Sequence, residues 1–256
     1  MPQSIYEALT LASKTGFITR KLWVKHYATG KQRWANRQLR YLVEQGYLQE
    51  HPNSMAQVCL LSTKLGRFVI GTNGELALAP PAVQQIEHDE FVASSLVTLQ
   101  RGNLITRWLC ESELRQLKMH EWKLERTPTK LKYPDAIMFL NFPNRSFQCA
   151  LEYERSDKSL SRYRDILRRY GVLNDLQLIL FVCETQVIKR RIKRQLVHLN
   201  NPSLSKRVAL VLACDWTSNP MTAPLENGLR SFSLLELWTF INERSNQKDS
   251  PEDSPG

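Results

Sequence analysis

Residues 133–154 read YPDAIMFLNFPNRSFQCALEYE, and the fold turns on how this stretch pairs with itself. Tyr133 to Asn141 and Phe147 to Glu154 have the length and residue types of strands, with only Phe142-Pro143-Asn144-Arg145-Ser146 between them. A linker that short holds no crossover helix, so the spacing predicts a hairpin inside a mixed sheet. Side chains alternate along a strand, which places Glu152 and Glu154 on one face and Leu151 and Tyr153 on the other. Asp135 follows Pro134 at the start of its strand, and antiparallel pairing sets it opposite the acidic end of its neighbour. Three carboxylates at one sheet end repel unless a cation lies among them, and an oxygen-only set suits magnesium or manganese rather than zinc. The ordinary alternative is a surface salt bridge from Glu154 to Lys158.

Working outward, Asp157 to Tyr170 reads as a helix with Leu160, Tyr163, Leu167 and Tyr170 on its apolar side and Lys158, Arg162 and Arg169 on a cationic one. Val83 to Gln100 is predicted helical, Leu104 to Cys110 a strand, Leu176 to Cys183 a strand, Gln186 to Leu199 a helix, Val208 to Cys214 a strand and Leu234 to Asn242 a closing helix. The order helix, three strands, helix, strand implies a central sheet flanked by helices. Lys189, Arg190, Arg191, Lys193 and Arg194 crowd the helix whose Ile188, Ile192, Leu196 and Leu199 face inward, so several cations are expected to project together. Lys193 and Arg194 are the candidates for phosphate contact, against a merely solvated face.

The chain changes character near Ala77 to Ala82, where Pro80-Pro81 disfavours a continuing helix. Residues 1–79 and 83–244 are therefore read as two domains. Before the break, Ser4 to Ser13, Thr19 to Tyr27 and Lys31 to Gln45 are predicted helices, the third stopping at Gly46. Tyr47 to Glu50 and Gln57 to Leu61 follow as strands around a turn, then Thr63 to Ile70 as a helix, which is the order of a winged helix-turn-helix. On the third helix Ala35, Leu39, Leu42 and Val43 form one face, and Arg33, Arg37 and Arg40 another. With Lys31 and Asn36 nearby, that face has donors for phosphates and base edges, as a recognition helix requires.

Charge points the same way. The 256 residues carry 35 Lys and Arg against 25 Asp and Glu, a net charge of +10 that favours a polyanionic partner, nucleic acid first. The five cysteines, Cys59, Cys110, Cys149, Cys183 and Cys214, are widely spaced and lie among apolar residues, so reduced thiols are expected and neither a disulfide framework nor a zinc site. The apolar runs are too short to span a bilayer and the start lacks a secretory signal, so a cytoplasmic protein without a membrane segment is expected. Ser245 to Gly256 holds no large apolar side chain and reads as a disordered tail.

Tyr133-Pro134-Asp135, then Leu151-Glu152-Tyr153-Glu154-Arg155-Ser156 with Lys158, Arg162, Tyr163 and Tyr170, resembles the signature of the replication-relaxation family, which includes the MobC-type relaxases of mobilisable plasmids. The resemblance covers nearly the whole chain apart from the tail. It implies a winged helix joined to a PD-(D/E)XK, restriction-endonuclease-like domain that nicks DNA at a plasmid transfer origin with Mg2+ or Mn2+, alongside accessory mobilisation or coupling proteins. It also implies that Asp135 and Glu152 are metal ligands. Glu154 stands where the pattern has lysine, and would act as a further ligand or general base, while Lys158, one turn into the next helix, would supply the missing cation. Trp108 to Glu113 resembles the family's first strand and its end, leaving Glu111 or Glu113 as an additional acid. His88-Asp89 fits the family pattern as well, with a hydrogen-bonded pair near a helix start as the simpler reading. The five histidines are isolated from one another, so the metal-binding histidine cluster of the commoner relaxases is not expected. A non-catalytic plasmid regulator on a degenerate nuclease scaffold is the rival reading.

Overall fold

The computed structural model describes residues 2–28, 31–51, 59–71, 81–116, 133–142 and 145–248. The predicted turn at 52–54 and the last eight residues of the expected tail lie outside the described residues. The chain forms two compact units, one of residues 1–97 with 110–119 and one of residues 98–109 with 120–256.

The first unit contains α1 (Gln3–Thr15), β1 (Phe17–Thr19), α2 (Arg20–His26), α3 (Gln32–Glu44), β2 (Leu48–Glu50), β3 (Cys59–Ser62) and α4 (Lys64–Val69). The strands make an antiparallel sheet in the order β1-β3-β2. Ile5, Leu9 and Ala12 of α1, Leu22 and Trp23 of α2, and Ala35, Leu39 and Leu42 of α3 are buried at helical spacing and form its core. Thr19 ends β1 and caps α2, its hydroxyl accepting the Leu22 N–H at 3.1 Å. Helix α3 stops because Gly46 takes φ +73, a conformation in the left-handed region. At Gly66 a Cβ would come within 2.2 Å of the Tyr47 carbonyl oxygen, so α4 meets the chain there only without a side chain.

A longer helix, α5 (Val83–Arg101), begins in this unit. Its buried Glu90 accepts the Thr19 hydroxyl at 2.5 Å and pairs with Lys21 at 2.8 Å, while Ser94 bonds Lys25 at 2.9 Å and His26 at 3.0 Å. The first unit's main segment ends at Val97, within α5.

The second unit is built on a seven-stranded sheet in the order β10-β9-β8-β7-β6-β5-β4. Its strands are β4 (Ile105–Cys110), β5 (Ala136–Phe142), β6 (Arg145–Glu154), β7 (Leu178–Cys183), β8 (Val208–Leu212), β9 (Leu225–Glu226) and β10 (Ser231–Phe232). The expected hairpin is present, with β5 antiparallel to β6 from Phe142↔Arg145 to Ala136↔Leu151. Parallel pairing follows, β6 with β7 and β7 with β8. Every residue of β7 is buried, as a central strand covered on both faces requires. Its helices are α7 (Leu160–Val172), α8 (Gln186–Leu199), α9 (Pro202–Arg207), α10 (Ala213–Ser218) and α11 (Leu234–Lys248), while α6 (Glu111–Gln116) belongs to the first unit. The mixed α/β class with a helix-flanked sheet is thus as expected.

Four local expectations are corrected. Asp135 precedes β5 instead of opening it. Lys158 lies before α7, because the Ser159 hydroxyl caps the helix by accepting the Arg162 N–H at 3.3 Å. Strand β8 ends at Leu212, and Ala213-Cys214 begin α10, where Cys214 is exposed. Helix α11 continues to Lys248, so the first residues assigned to a disordered tail are helical. No helix among the described residues is long and apolar enough to cross a membrane.

Candidate active site

Register carries the acids together. Ala136 faces Leu151, so the next pair outward is Asp135 and Glu152. The Asp135 carboxylate accepts the main-chain N–H of Tyr153 through Oδ2 at 2.7 Å. Glu152 and Glu154 follow the pleat to one face and are each 1 % exposed.

That face is covered by α7. Tyr163, Ile166, Leu167 and Tyr170 are buried at helical spacing, and the Tyr170 ring meets Phe181 of β7 edge-on at 6.0 Å. Phe181 is the parallel partner of Glu152, which puts the Tyr170 hydroxyl over the glutamate; the phenol donates to Glu152 Oε1 at 2.5 Å. Burial first, then the charge of Glu152 and its hydrogen bond, then Asp135 and Glu154, hold this phenol well above its ordinary pKa. All three carboxylates therefore act electrostatically on one hydroxyl. Arg207 closes the far end of α7, giving hydrogen bonds to the carbonyls of Leu173 at 2.5 Å, Leu176 at 3.0 Å and Tyr170 at 3.3 Å.

Glu154 is ion-paired with Lys158, whose ammonium donates to Oε2. The main-chain N–H of Lys158 donates to the Tyr163 hydroxyl at 3.2 Å. Burial and the nearby Glu154 push the Tyr163 phenol up to about 12. Both tyrosines are core residues carrying a protonated hydroxyl, not poised nucleophiles.

The expected ligands Asp135, Glu152 and Glu154 lie at one end of the β5–β6 hairpin. Among the described residues no group of three His, Cys, Asp or Glu side chains could hold a metal ion. Glu154 meets Lys158 through Oε2. The donor chemistry that does fit is smaller: two carboxylates, Asp135 and Glu152, at facing positions. Magnesium is commonly held by one or two carboxylates and completes its shell with water and phosphate oxygens.

The two additional acids belong to the first unit. Glu111 is bonded to Arg115 at 2.5 Å, and Glu113 accepts the Cys110 N–H at 2.9 Å and lies 3.7 Å from Lys14; both open α6 in the first unit. His88 Nδ1 bonds its neighbour Asp89 at 2.9 Å, the simpler of its two readings.

The basic residues divide. Lys31, Arg33, Asn36, Arg37 and Arg40 are all exposed on or just before α3, as are Arg162 on α7 and Arg190, Lys193 and Arg194 on α8. Lys189 was expected in the same solvent-facing strip, yet it is buried and paired with Glu226 at 2.8 Å. Arg191 turns to Asp157, 2.8 Å away. Sequence reading missed this ion pair, the Tyr170 bond to Glu152 and the Arg207 cap, since each joins residues at least 18 apart with no shared periodicity.

No protein-family model, curated protein or solved structure matches the chain.

Proposed function

We propose that the protein is a metal-dependent DNA nickase of the relaxase type, cutting one strand at a plasmid transfer origin during conjugative mobilisation. One observation carries the reading: Asp135 and Glu152 occupy facing positions at the end of the β5–β6 hairpin, beside a lysine ion-paired with Glu154. The order α5, β4, β5, β6, α7, β7, apart from the short α6, supports a restriction-endonuclease-like domain. The order of α1, α2, α3 and the β2–β3 pair supports a winged helix, and the exposed cations of α3 support its contact with duplex DNA.

Asp135 and Glu152 would hold Mg2+ or Mn2+, which when bound lowers the pKa of a water and polarises a phosphoryl group. Lys158 offers an ammonium to the charge that develops on the cleaved phosphate. The Tyr170 hydroxyl orients Glu152, and the Tyr153 N–H orients Asp135. Arg162, Lys193 and Arg194 would grip flanking phosphates, while α3 selects the site. The protein works where plasmid DNA is, which fits a cytoplasmic location.

The second reading is a non-catalytic DNA-binding regulator of plasmid replication or transcription. It is favoured by the Glu154–Lys158 ion pair, which puts an acid where the family pattern has lysine. Supercoiled plasmid bearing the transfer origin, incubated with the protein and Mg2+ or Mn2+, separates the two. A nickase converts it to relaxed circles, and Glu152→Gln abolishes the conversion. Binding without nicking in either metal leaves the regulator, and linear product would indicate a double-strand nuclease.

A further inference from the structure

Lys158 sits in the link between β6 and α7, in a stretch where Arg155, Ser156 and Asp157 are exposed. A link of this kind has little intrinsic order, so its course depends on bonds made to neighbouring elements. One comes from α7, through the Tyr163 hydroxyl to the Lys158 N–H. The other comes from α8. Arg191 Nη1 donates to the Lys158 carbonyl at 3.3 Å and lies 2.8 Å from Asp157 Oδ2, so a single guanidinium nitrogen ties two successive residues of the link. Helices α7 and α8 pack together, and Arg191 reaches the link along that seam.

We propose that Arg191 is a positioning residue for Lys158: it fixes the main chain of the link so that the ammonium stays on the buried Glu154 and beside the Asp135–Glu152 pair. The inference rests on the cleavage reading for its functional consequence. It assigns Arg191 a different duty from Arg190, Lys193 and Arg194, which share its helix but are exposed. Those three would contact phosphates; Arg191 would set where a catalytic lysine lies. A rigid, planar fork suits this duty better than an ammonium, which offers a point charge. The Arg191 side chain is 42 % exposed, so removing it opens no sealed core.

The test uses the full chain and two variants, Arg191→Ala and Asp157→Asn, with Arg191→Lys as the conservative control. The 15N-ammonium resonance of Lys158, assigned by its disappearance in Lys158→Arg, reports the ion pair directly. Single-turnover cleavage at saturating DNA reports the chemistry, and a titration of duplex DNA reports binding. The expected result is a displaced or broadened Lys158 resonance in Arg191→Ala and Asp157→Asn, with single-turnover cleavage down about ten- to a hundredfold. The DNA Kd stays at the wild-type value, and Arg191→Lys recovers part of the rate. A weaker Kd with an unchanged single-turnover rate would make Arg191 one more phosphate contact and overturn the proposal. So would a wild-type resonance in both variants. If the wild-type protein does not cleave DNA at all, the cleavage reading falls by itself. The resonance then decides alone whether Arg191 places Lys158.

Discussion

The Asp135 carboxylate takes the main-chain N–H of Tyr153 at 2.7 Å, and Tyr153 lies between the two buried glutamates of β6. Asp135 lies beyond the end of β5, so a side chain replaces a strand carbonyl where the ladder stops. The aspartate thus has a structural bond and a proposed metal-holding duty, and two variants separate them. Asp135→Ala leaves the Tyr153 N–H without this acceptor and should cost about 1–3 kcal/mol in urea unfolding. Asp135→Asn keeps an acceptor oxygen, so its unfolding midpoint should stay near wild type while nicking is lost.

The Lys158–Glu154 pair predicts a double-variant effect. Glu154 is 1 % exposed and its partner about a fifth exposed, so Lys158→Met strands a buried carboxylate and should destabilise by about 3 kcal/mol. Lys158→Met with Glu154→Gln removes both charges and should recover most of that loss. Nicking should remain absent in both, since the ammonium is gone. Recovery of cleavage together with stability would mean that Lys158 acts only on folding.

Alkaline titration follows from the two tyrosines over the acids. Both are held above the ordinary tyrosine pKa, Tyr163 at about 12 and Tyr170 well above its usual value, chiefly by burial. The folded chain then keeps protons that the unfolded chain releases above about pH 10. Their contribution to stability is complete below that value and is lost as pH rises through the folded pKa values. Spectrophotometric titration should show these phenols ionising only with unfolding, and Tyr170→Phe should make the alkaline limb less steep. Phenolate from either residue near neutral pH would contradict the assignment of both as core hydroxyls.

Much of this arrangement is legible from residue order alone. Periodicity was sufficient for α8, which runs from Gln186 to Leu199 as expected, and for the β5–β6 hairpin, because an apolar face imposes its own spacing. Asp135 could be set opposite the acidic end of the neighbouring strand because a short turn imposes antiparallel pairing. Strands of two or three residues, such as β1, β9 and β10, carry no period to read. The start of α7 was placed too early because Ser159, a cap, looks like any other serine in a charged stretch. What escaped was tertiary, as where Glu90 holds Thr19 and Lys21 across some seventy residues.

The exposed cations of α3 predict a salt effect. Arg37→Ala should lower the slope of log affinity against log salt by about one, the loss expected for each phosphate contact. Arg33→Ala and Arg40→Ala should behave likewise, whereas Lys189→Ala, removing a buried partner of Glu226, should leave the slope unchanged and lower the unfolding midpoint. Filter binding across a salt series measures both. Equal slopes for wild type and all three arginine variants would take α3 out of the DNA interface.

Calorimetric titration of Mn2+ into the folded protein with its duplex addresses most directly whether the facing acids grip an ion. The account predicts one ion bound per chain, and no binding by Asp135→Asn or Glu152→Gln with DNA affinity preserved. Manganese uptake that is absent in wild type, or unaltered in both variants, would contradict it.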